Sequence, residues 1–362
     1  MEGATIAPSL LEGGNVVGSL KQARTAFVTA PVGRLMSLLL LLLVIYVIFV
    51  LLTKIFDRGG GYFLQILTFG VANGAIYALV ALGYTMVYGI IELINFAHGD
   101  LFTLGGFISL FLLPFVGADE SKAGTAAIIL PLIIVFLATM AICGAINVTI
   151  ERVAYRPLRH APRVAPLITA IGMSFILEGL MFLWKGPFNL HYPNLLPAAS
   201  FTLGEATIHV KDIFVIVIAV ILMIVLTLFV GRSTLGRAMR ATAQDQDATE
   251  LMGIDINRTI AATFFIGAVL AGAGGTIFGL YYNTVVFDLG FSAGLFAFTA
   301  AVFGGIGNIQ GAALGGLLIG IIIAFSDGYF ESAWTQVVIF AILILVLVFR
   351  PTGLLGMRVP EK

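Results

Sequence analysis

Polar and ionisable side chains gather in one stretch of an otherwise apolar chain: Tyr84, Tyr88, Glu92, Asn95, His98 and Asp100, punctuated by Gly83, Gly89, Gly99 and the pair Gly105-Gly106. Irregular backbone and ionisable groups near membrane depth persist mainly where they line a cavity or face protein. This stretch is therefore the first candidate for a translocation pathway or its gate. Bond-breaking chemistry finds little to work with. Asp100 lacks a second intramembrane aspartate at a partner position, which argues against an aspartyl protease. His98, His160, His191 and His209 lie in different segments and no H-E-x-x-H occurs, so metal-dependent hydrolysis has little support. No lysine follows a glycine, which removes the Walker A pattern and a nucleotide site of that type. The single cysteine, Cys143, excludes an intramolecular disulfide and fills space in an apolar run. The expectation is a non-enzyme with no metal and no cofactor. One more carboxylate, Glu178 in Ser174-Phe175-Ile176-Leu177-Glu178-Gly179, lies mid-span and is expected to face the bundle interior, as a pathway residue or as part of a structural network.

The elements that must position these groups follow from composition. Hydrophobic residues make up 60% of the 362, charged residues 10%, and the mean hydropathy is +1.08, far from soluble domains, in which about a quarter of residues are charged. The fold class is an all-α polytopic membrane protein whose first partner is the lipid bilayer. A net charge of zero, with no basic face, argues against nucleic acid. After a polar tail, Met1 to Gly33, the apolar run Leu35 to Leu52 is longer than a signal-peptide core and is taken as a retained span. Nine further spans are expected: Tyr62 to Leu82, Leu101 to Val116, Ala126 to Ile150, Ala165 to Trp184, Ile213 to Val230, Ile260 to Tyr282, Ser292 to Gly305, Ala312 to Phe325 and Thr335 to Phe349. The two between Ser292 and Phe325 are short and Gly-rich, and are expected to be re-entrant, broken or tilted.

Arginine and lysine placement tests that count. With ten crossings and both termini in the cytoplasm, 14 of the 19 Lys and Arg residues fall in inside loops, among them Arg152, Arg156, Arg159, Arg232, Arg237, Arg240, Arg258 and Arg350; Lys54, Arg58, Lys122, Lys185 and Lys211 fall outside. This is the bias that membrane insertion imposes. It makes the longest strongly polar run between two apolar segments, Gly231 to Arg258, cytoplasmic. There the spacing of Leu235, Met239, Leu251 and Met252 against charge predicts a short amphipathic helix on the membrane surface or against a soluble partner.

Small residues recur four apart, at Gly267, Ala271, Gly275 and Gly279 and at Gly307, Gly311 and Gly315, and such ridges let helix backbones approach closely in lipid. A short echo, Thr68-Phe69-Gly70 in a span heading inward and Thr263-Phe264 in one heading outward, predicts an inverted repeat.

The run Gly83 to Gly106, GYTMVYGIIELINFAHGDLFTLGG, resembles the signature of the LivH-type permease subunit of bacterial branched-chain amino acid ABC importers. So do ERVAYRPLR at Glu151 to Arg159, ITAIGMS at Ile168 to Ser174, FTAAVFGGIGNIQGAALGG at Phe298 to Gly316 and RPTGLLG at Arg350 to Gly356, all within Tyr62 to Gly356. The resemblance implies an inner-membrane protein forming half of a pathway for leucine, isoleucine or valine. It implies as partners a homologous LivM-type permease, two cytoplasmic ATP-binding subunits and a periplasmic amino-acid-binding protein. It also implies a coupling helix with a loose E-A-A-x-x-x-G pattern, matched here in degenerate form by Asp247-Ala248-Thr249 and Gly253, without the downstream I-x-L-P. ATPase coupling is accordingly assigned to Arg237, Arg240, Asp247, Ala248, Glu250 and Gly253. The pathway is assigned to Tyr84, Tyr88, Glu92, Asn95, His98, Glu178, Gly304, Gly305, Gly307 and Asn308. The domain reading is a tail at 1–33, an extra span at 34–56, the permease at 57–356 with its coupling loop at 231–258, and a tail at 357–362. A permease of the same superfamily for urea, short amides or a sugar, or a self-contained secondary transporter or channel, stands as the alternative.

Overall fold

The computed structural model describes residues 31–92, 95–159, 161–162, 164–350 and 352–356. The tail expected at 1–33 therefore lies, up to residue 30, outside the described residues, as does the tail at 357–362. In hydrocarbon every backbone polar group needs a partner within its own segment, and the apolar runs accordingly fold as helices. Helix spans Pro31–Ile91 with one break, at Gly59, whose φ of +81° and ψ of 164° only glycine adopts easily. The break gives α1, residues 31–58, and α2, residues 60–91. It also separates two compact units, 1–59 and 60–362.

Among the described residues the first unit contains α1 alone. The second carries α2, α3 (Ala97–Leu112), α4 (Ile129–Ile150), α5 (Val164–Lys185), α6 (Val210–Arg232), α7 (Thr234–Gln244), α8 (Gln246–Leu251), α9 (Ile256–Tyr282), α10 (Leu289–Gly304), α11 (Ile309–Tyr329) and α12 (Thr335–Phe349). Among the described residues, eight stretches are long and apolar enough to cross a membrane. The chain is an all-α polytopic membrane protein. Two expectations change. The segment expected as the short span Ala312 to Phe325 is a 21-residue helix of full crossing length, so only α10, at 16 residues, stays short. Gly83 and Gly89 do not break α2, which continues to Ile91; a Cβ on Gly83 would overlap the His98 ring, so that glycine makes room for a neighbour.

The strands β1 (Leu190–His191), β2 (Ser200–Leu203), β3 (Ala206–His209) and β4 (Thr284–Val285) form two small antiparallel pairs, β1 with β4 and β2 with β3. They belong to a cap at one end of the bundle. There Tyr192, fully buried, donates from its hydroxyl to Ser109 Oγ at 3.1 Å. The opposite end carries α7 and α8, and Arg152, Arg156, Arg232 and Arg258 lie at the helix ends there, while Lys122, Lys185 and Lys211 lie on the cap side.

Glycine positions decide which helices touch. A Cβ on Gly74 would stand 2.7 Å from the Leu317 carbonyl oxygen, so α2 and α11 cross backbone to backbone. A Cβ on Gly105 would stand 2.6 Å from Gly272 Cα, joining α3 to α9, and one on Gly272 would stand 2.9 Å from Cys143 Sγ, joining α9 to α4. The expected ridge on α9 is buried throughout. The other ridge begins at Gly311 and not at Gly307, which precedes α11 with φ +87° and open space around it. The contacts are reciprocal. α2 packs on α11 as α9 packs on α4, and α3 lies on α9 as α10 lies on α2 through Tyr77 and Phe296. Exchanging α2, α3 and α4 for α9, α10 and α11 reproduces the pattern, as an inverted repeat requires.

Candidate functional site

The helices α3 and α10 begin beside one another, with Gly99 against Gly290 and Gly294, and run to opposite ends of the bundle. Around this junction stand several residues of the polar stretch. Tyr84 meets the His98 ring edge-on at 4.8 Å between centroids and Phe298 at 6.2 Å. Tyr84, Tyr88, Phe298, Ala301 and Ile306 enclose a slot of only about 10 Å³. His98 is fully buried. After the end of α2, in the link to α3, Glu92 has φ +52°. Asn95, in the same link, accepts a 2.8 Å hydrogen bond from the Tyr155 hydroxyl.

Asp100 occupies the first turn of α3, buried, and accepts a hydrogen bond from Ser174 Oγ of α5. Glu178 lies four residues beyond Ser174, hence on the same helix face, within electrostatic reach of Asp100. Glu178 itself is half-buried. Asp100 Oδ1, Asn95 Nδ2 and Thr85 Oγ1 are buried without a hydrogen-bond partner among the described residues. Such atoms cost free energy until water or a polar solute reaches them.

A larger cavity, about 380 Å³, opens at the α7–α8 end. Tyr88 and Glu92 contribute to its wall, together with Glu151, Tyr155, Arg159 and Gln246, and with Pro166, Leu167, Ile260 and Phe264 on the apolar side. One π-turn, Glu151–Tyr155, continues α4 here, an irregularity common at functional sites. Arg159 pairs with buried Glu151 and donates to Asn257 Oδ1 at 2.8 Å. Glu151, Tyr155 and Arg159 were not among the expected site residues. Their signal was the charged run ERVAYRPLR directly after an apolar span. A second space of about 370 Å³ lies alongside, between Ile90, Glu92, Thr242, Asp245 and Asp247.

The single amphipathic helix expected between Gly231 and Arg258 is two helices. Ser233 caps α7 by accepting from Gly236 N at 2.9 Å, and Asp245 ends α7 and caps α8 by accepting from Ala248 N at 3.0 Å. Met239 packs inward, but Leu251 and Met252 are 88% and 82% exposed, so the apolar stripe does not continue through the break. Arg237, Arg240, Asp247, Ala248, Glu250 and Gly253 are exposed, and Arg240 also donates to the Val230 carbonyl at the end of α6. Gln246 donates to Ile90 O at 3.2 Å, joining α8 to the end of α2.

Gly304, Gly305, Gly307 and Asn308 form the α10–α11 turn. Asn308 caps α11 and donates to Leu355 O at 2.7 Å, while Leu354 N and Leu355 N donate to Phe303 O and Gly304 O. The RPTGLLG segment is thereby fastened to this turn. None of the four lines the large cavity; Ile306 between them borders the tyrosine slot.

The family described as branched-chain amino acid transport system / permease component matches residues 66–347. The chain belongs to this family. The permease is 45% identical to the high-affinity branched-chain amino acid transport system permease protein BraD of Pseudomonas aeruginosa, over 83% of its own length and 98% of BraD. It is 42% identical to LivH of Escherichia coli K12, over the same shares. A more distant relative, LivM of Escherichia coli K12, is 29% identical over 42% of the permease and 36% of LivM. No solved structure matches it.

Proposed function

We propose that the chain is the permease subunit of an ATP-driven importer of branched-chain amino acids in a bacterial inner membrane, with half of the translocation pathway on its surface. The observation that carries this is 45% identity along 98% of a high-affinity branched-chain amino acid permease. Its partners are a LivM-type permease, two cytoplasmic ATP-binding subunits and a periplasmic amino-acid-binding protein. The α7–α8 end, with its arginines, faces the cytoplasm, and both termini lie on that side. The α1 helix is an addition to the transport core in sequence, in keeping with a family match that begins at residue 66 and a unit that ends at Gly59.

No covalent step occurs on this chain. ATP binding elsewhere closes the ATPase pair against the exposed Asp247 to Gly253 element. Gln246 passes that displacement to the end of α2, and with it to Tyr84 and Tyr88. The packed helices then exchange outward-open and inward-open arrangements. In that exchange the junction of α3 and α10 opens, and the buried Asp100, Asn95 and Thr85 atoms meet water or the polar end of the solute. Glu178 and His98 border the same route.

Purification from native membranes followed by identification of the co-purifying chains tests the assembly, and reconstitution with those chains tests transport. Leucine uptake that requires ATP and the binding protein is expected. Solute movement by this chain alone, without nucleotide hydrolysis, overturns the reading; uptake of urea, an amide or a sugar in place of leucine overturns the solute assignment.

A further inference from the structure

The cavity at the α7–α8 end has a chemistry of its own. One wall is ionic, with Arg159, Glu151 and Glu92; the facing wall is aliphatic and aromatic, with Leu167, Ile260 and Phe264. Its volume, about 380 Å³, falls in the range of small-molecule sites, lined by apolar side chains with a few placed polar groups. Arg159 spends donors on Glu151 and Asn257, and a guanidinium has five, so a carboxylate finds donors there. Glu92 and Glu151 supply acceptors for an ammonium. A small zwitterion with an aliphatic tail matches the chemistry of both walls at once.

The cavity is also built partly from the moving part of the proposed mechanism. Gln246, the first residue of α8, closes it and holds Ile90 O at 3.2 Å. The rest of the wall comes from α2, the π-turn, α5 and α9. Of the expected pathway residues Tyr88 and Glu92 reach the wall of this cavity, whereas Tyr84, at the slot of only about 10 Å³, and His98 and Glu178 do not.

We propose that this cavity is a second solute site, which takes a free aliphatic α-amino acid from the α8 side and holds α8 against α2. The inference rests on the reading of the chain as an amino-acid permease. A ligand that bridges Gln246 to Arg159 and Leu167 stabilises the arrangement seen here over one in which α8 has left. By linkage, displacement of α8 weakens the ligand by the same factor. Accumulated solute then slows its own import.

The complete transporter is reconstituted with its ATPases inside vesicles, and initial rates of radiolabelled leucine uptake and of ATP hydrolysis are measured with and without unlabelled leucine in the lumen. Luminal leucine is expected to slow both by about fivefold or more. Leu167→Trp, which fills the aliphatic end and leaves the ion pair intact, is expected to keep wild-type uptake into empty vesicles and to lose the luminal effect; Ile260→Trp fills the same space from α9 should the first variant fail to insert. Equilibrium binding of leucine to the detergent-solubilised transporter without binding protein is expected to be saturable, and lost in the same variant. Three results overturn the proposal: no luminal effect in the wild type, an unchanged luminal effect in an inserted cavity-filling variant, or loss of uptake into empty vesicles by such a variant, which makes the cavity part of the route itself. Failure of the wild-type complex to import leucine at all refutes the permease reading instead.

Discussion

Gly253 offers a test of coupling that separates backbone shape from side-chain contact. It ends α8 with φ +82°, donates to Glu250 O at 2.9 Å, and lets Ile254 N reach Thr249 O at 3.3 Å. A Cβ placed on it meets nothing within 4 Å. Any harm done by a side chain therefore comes from the left-handed backbone, roughly 1–2 kcal/mol for an ordinary residue and more for a β-branched one. Such a cost shifts the population of the capped loop by about 5–30-fold. α8 has only six residues, with few other bonds to hold its end. Gly253→Val is expected to insert normally, because the membrane helices are untouched, and to lose at least about fivefold in leucine uptake and substrate-stimulated ATP hydrolysis. Gly253→Asn, which tolerates the same conformation, is expected to stay within about twofold of wild type. Wild-type uptake in an inserted Gly253→Val protein refutes the coupling role. Equal loss in both variants shows that free space at the docking surface, and not φ, is what matters.

Gly74→Val drives side-chain atoms into the α11 backbone, where a Cβ already stands 2.7 Å from Leu317 O, and is expected to destabilise the detergent-solubilised protein by about 1–3 kcal/mol in thermal melts. Gly172→Ala, whose Cβ meets nothing within 4 Å, is the control and is expected to leave the melt unchanged or raise it, so equal melts for the two variants break the backbone-crossing account. Glu151→Gln leaves Arg159, 21% exposed, facing a neutral amide; the expected cost is about 1–3 kcal/mol, below that of a wholly buried pair because solvent reaches the guanidinium. Adding Arg159→Met should recover part of it, and strict additivity in the double variant argues against the pair. In the cap, the backbone N–H of Asn194, then His191, holds the Glu120 carboxyl below its ordinary value of 4.5. A lowered carboxylate contributes stability above its unfolded value and loses it as pH falls through its lowered one, so the difference in melting between wild type and Glu120→Gln is expected at neutral pH and should shrink progressively as pH falls below the ordinary carboxyl range; a difference that does not shrink with acid refutes the assignment.

Hydropathy by itself determined the fold class, because a chain that must hide its backbone from hydrocarbon has no choice but to form helices over its apolar runs; against the ten spans expected, eight stretches among the described residues are long and apolar enough to cross, with α10 shorter. The polar run between α6 and α9 was equally plain, since charge of that density cannot enter lipid. Glycine was harder to read: Gly83, in a polar and glycine-broken stretch, looked like a helix break yet is regular helix, and Gly307, four before Gly311, looked like a ridge yet lies in a turn. A glycine signals only that something comes close or that the backbone turns, and the spacing does not say which.

Only the tertiary structure brought Asp100 to Ser174 and Glu178, separated by more than seventy residues in the chain. Only it set Glu151, Tyr155 and Arg159 around a cavity closed by Gln246. The reason is physical. Period and composition report which face of a segment avoids water or lipid, a property of one helix at a time. Which buried carboxylate meets which hydroxyl depends on where small residues allow two helices to cross, and that is decided by the packing of all of them together.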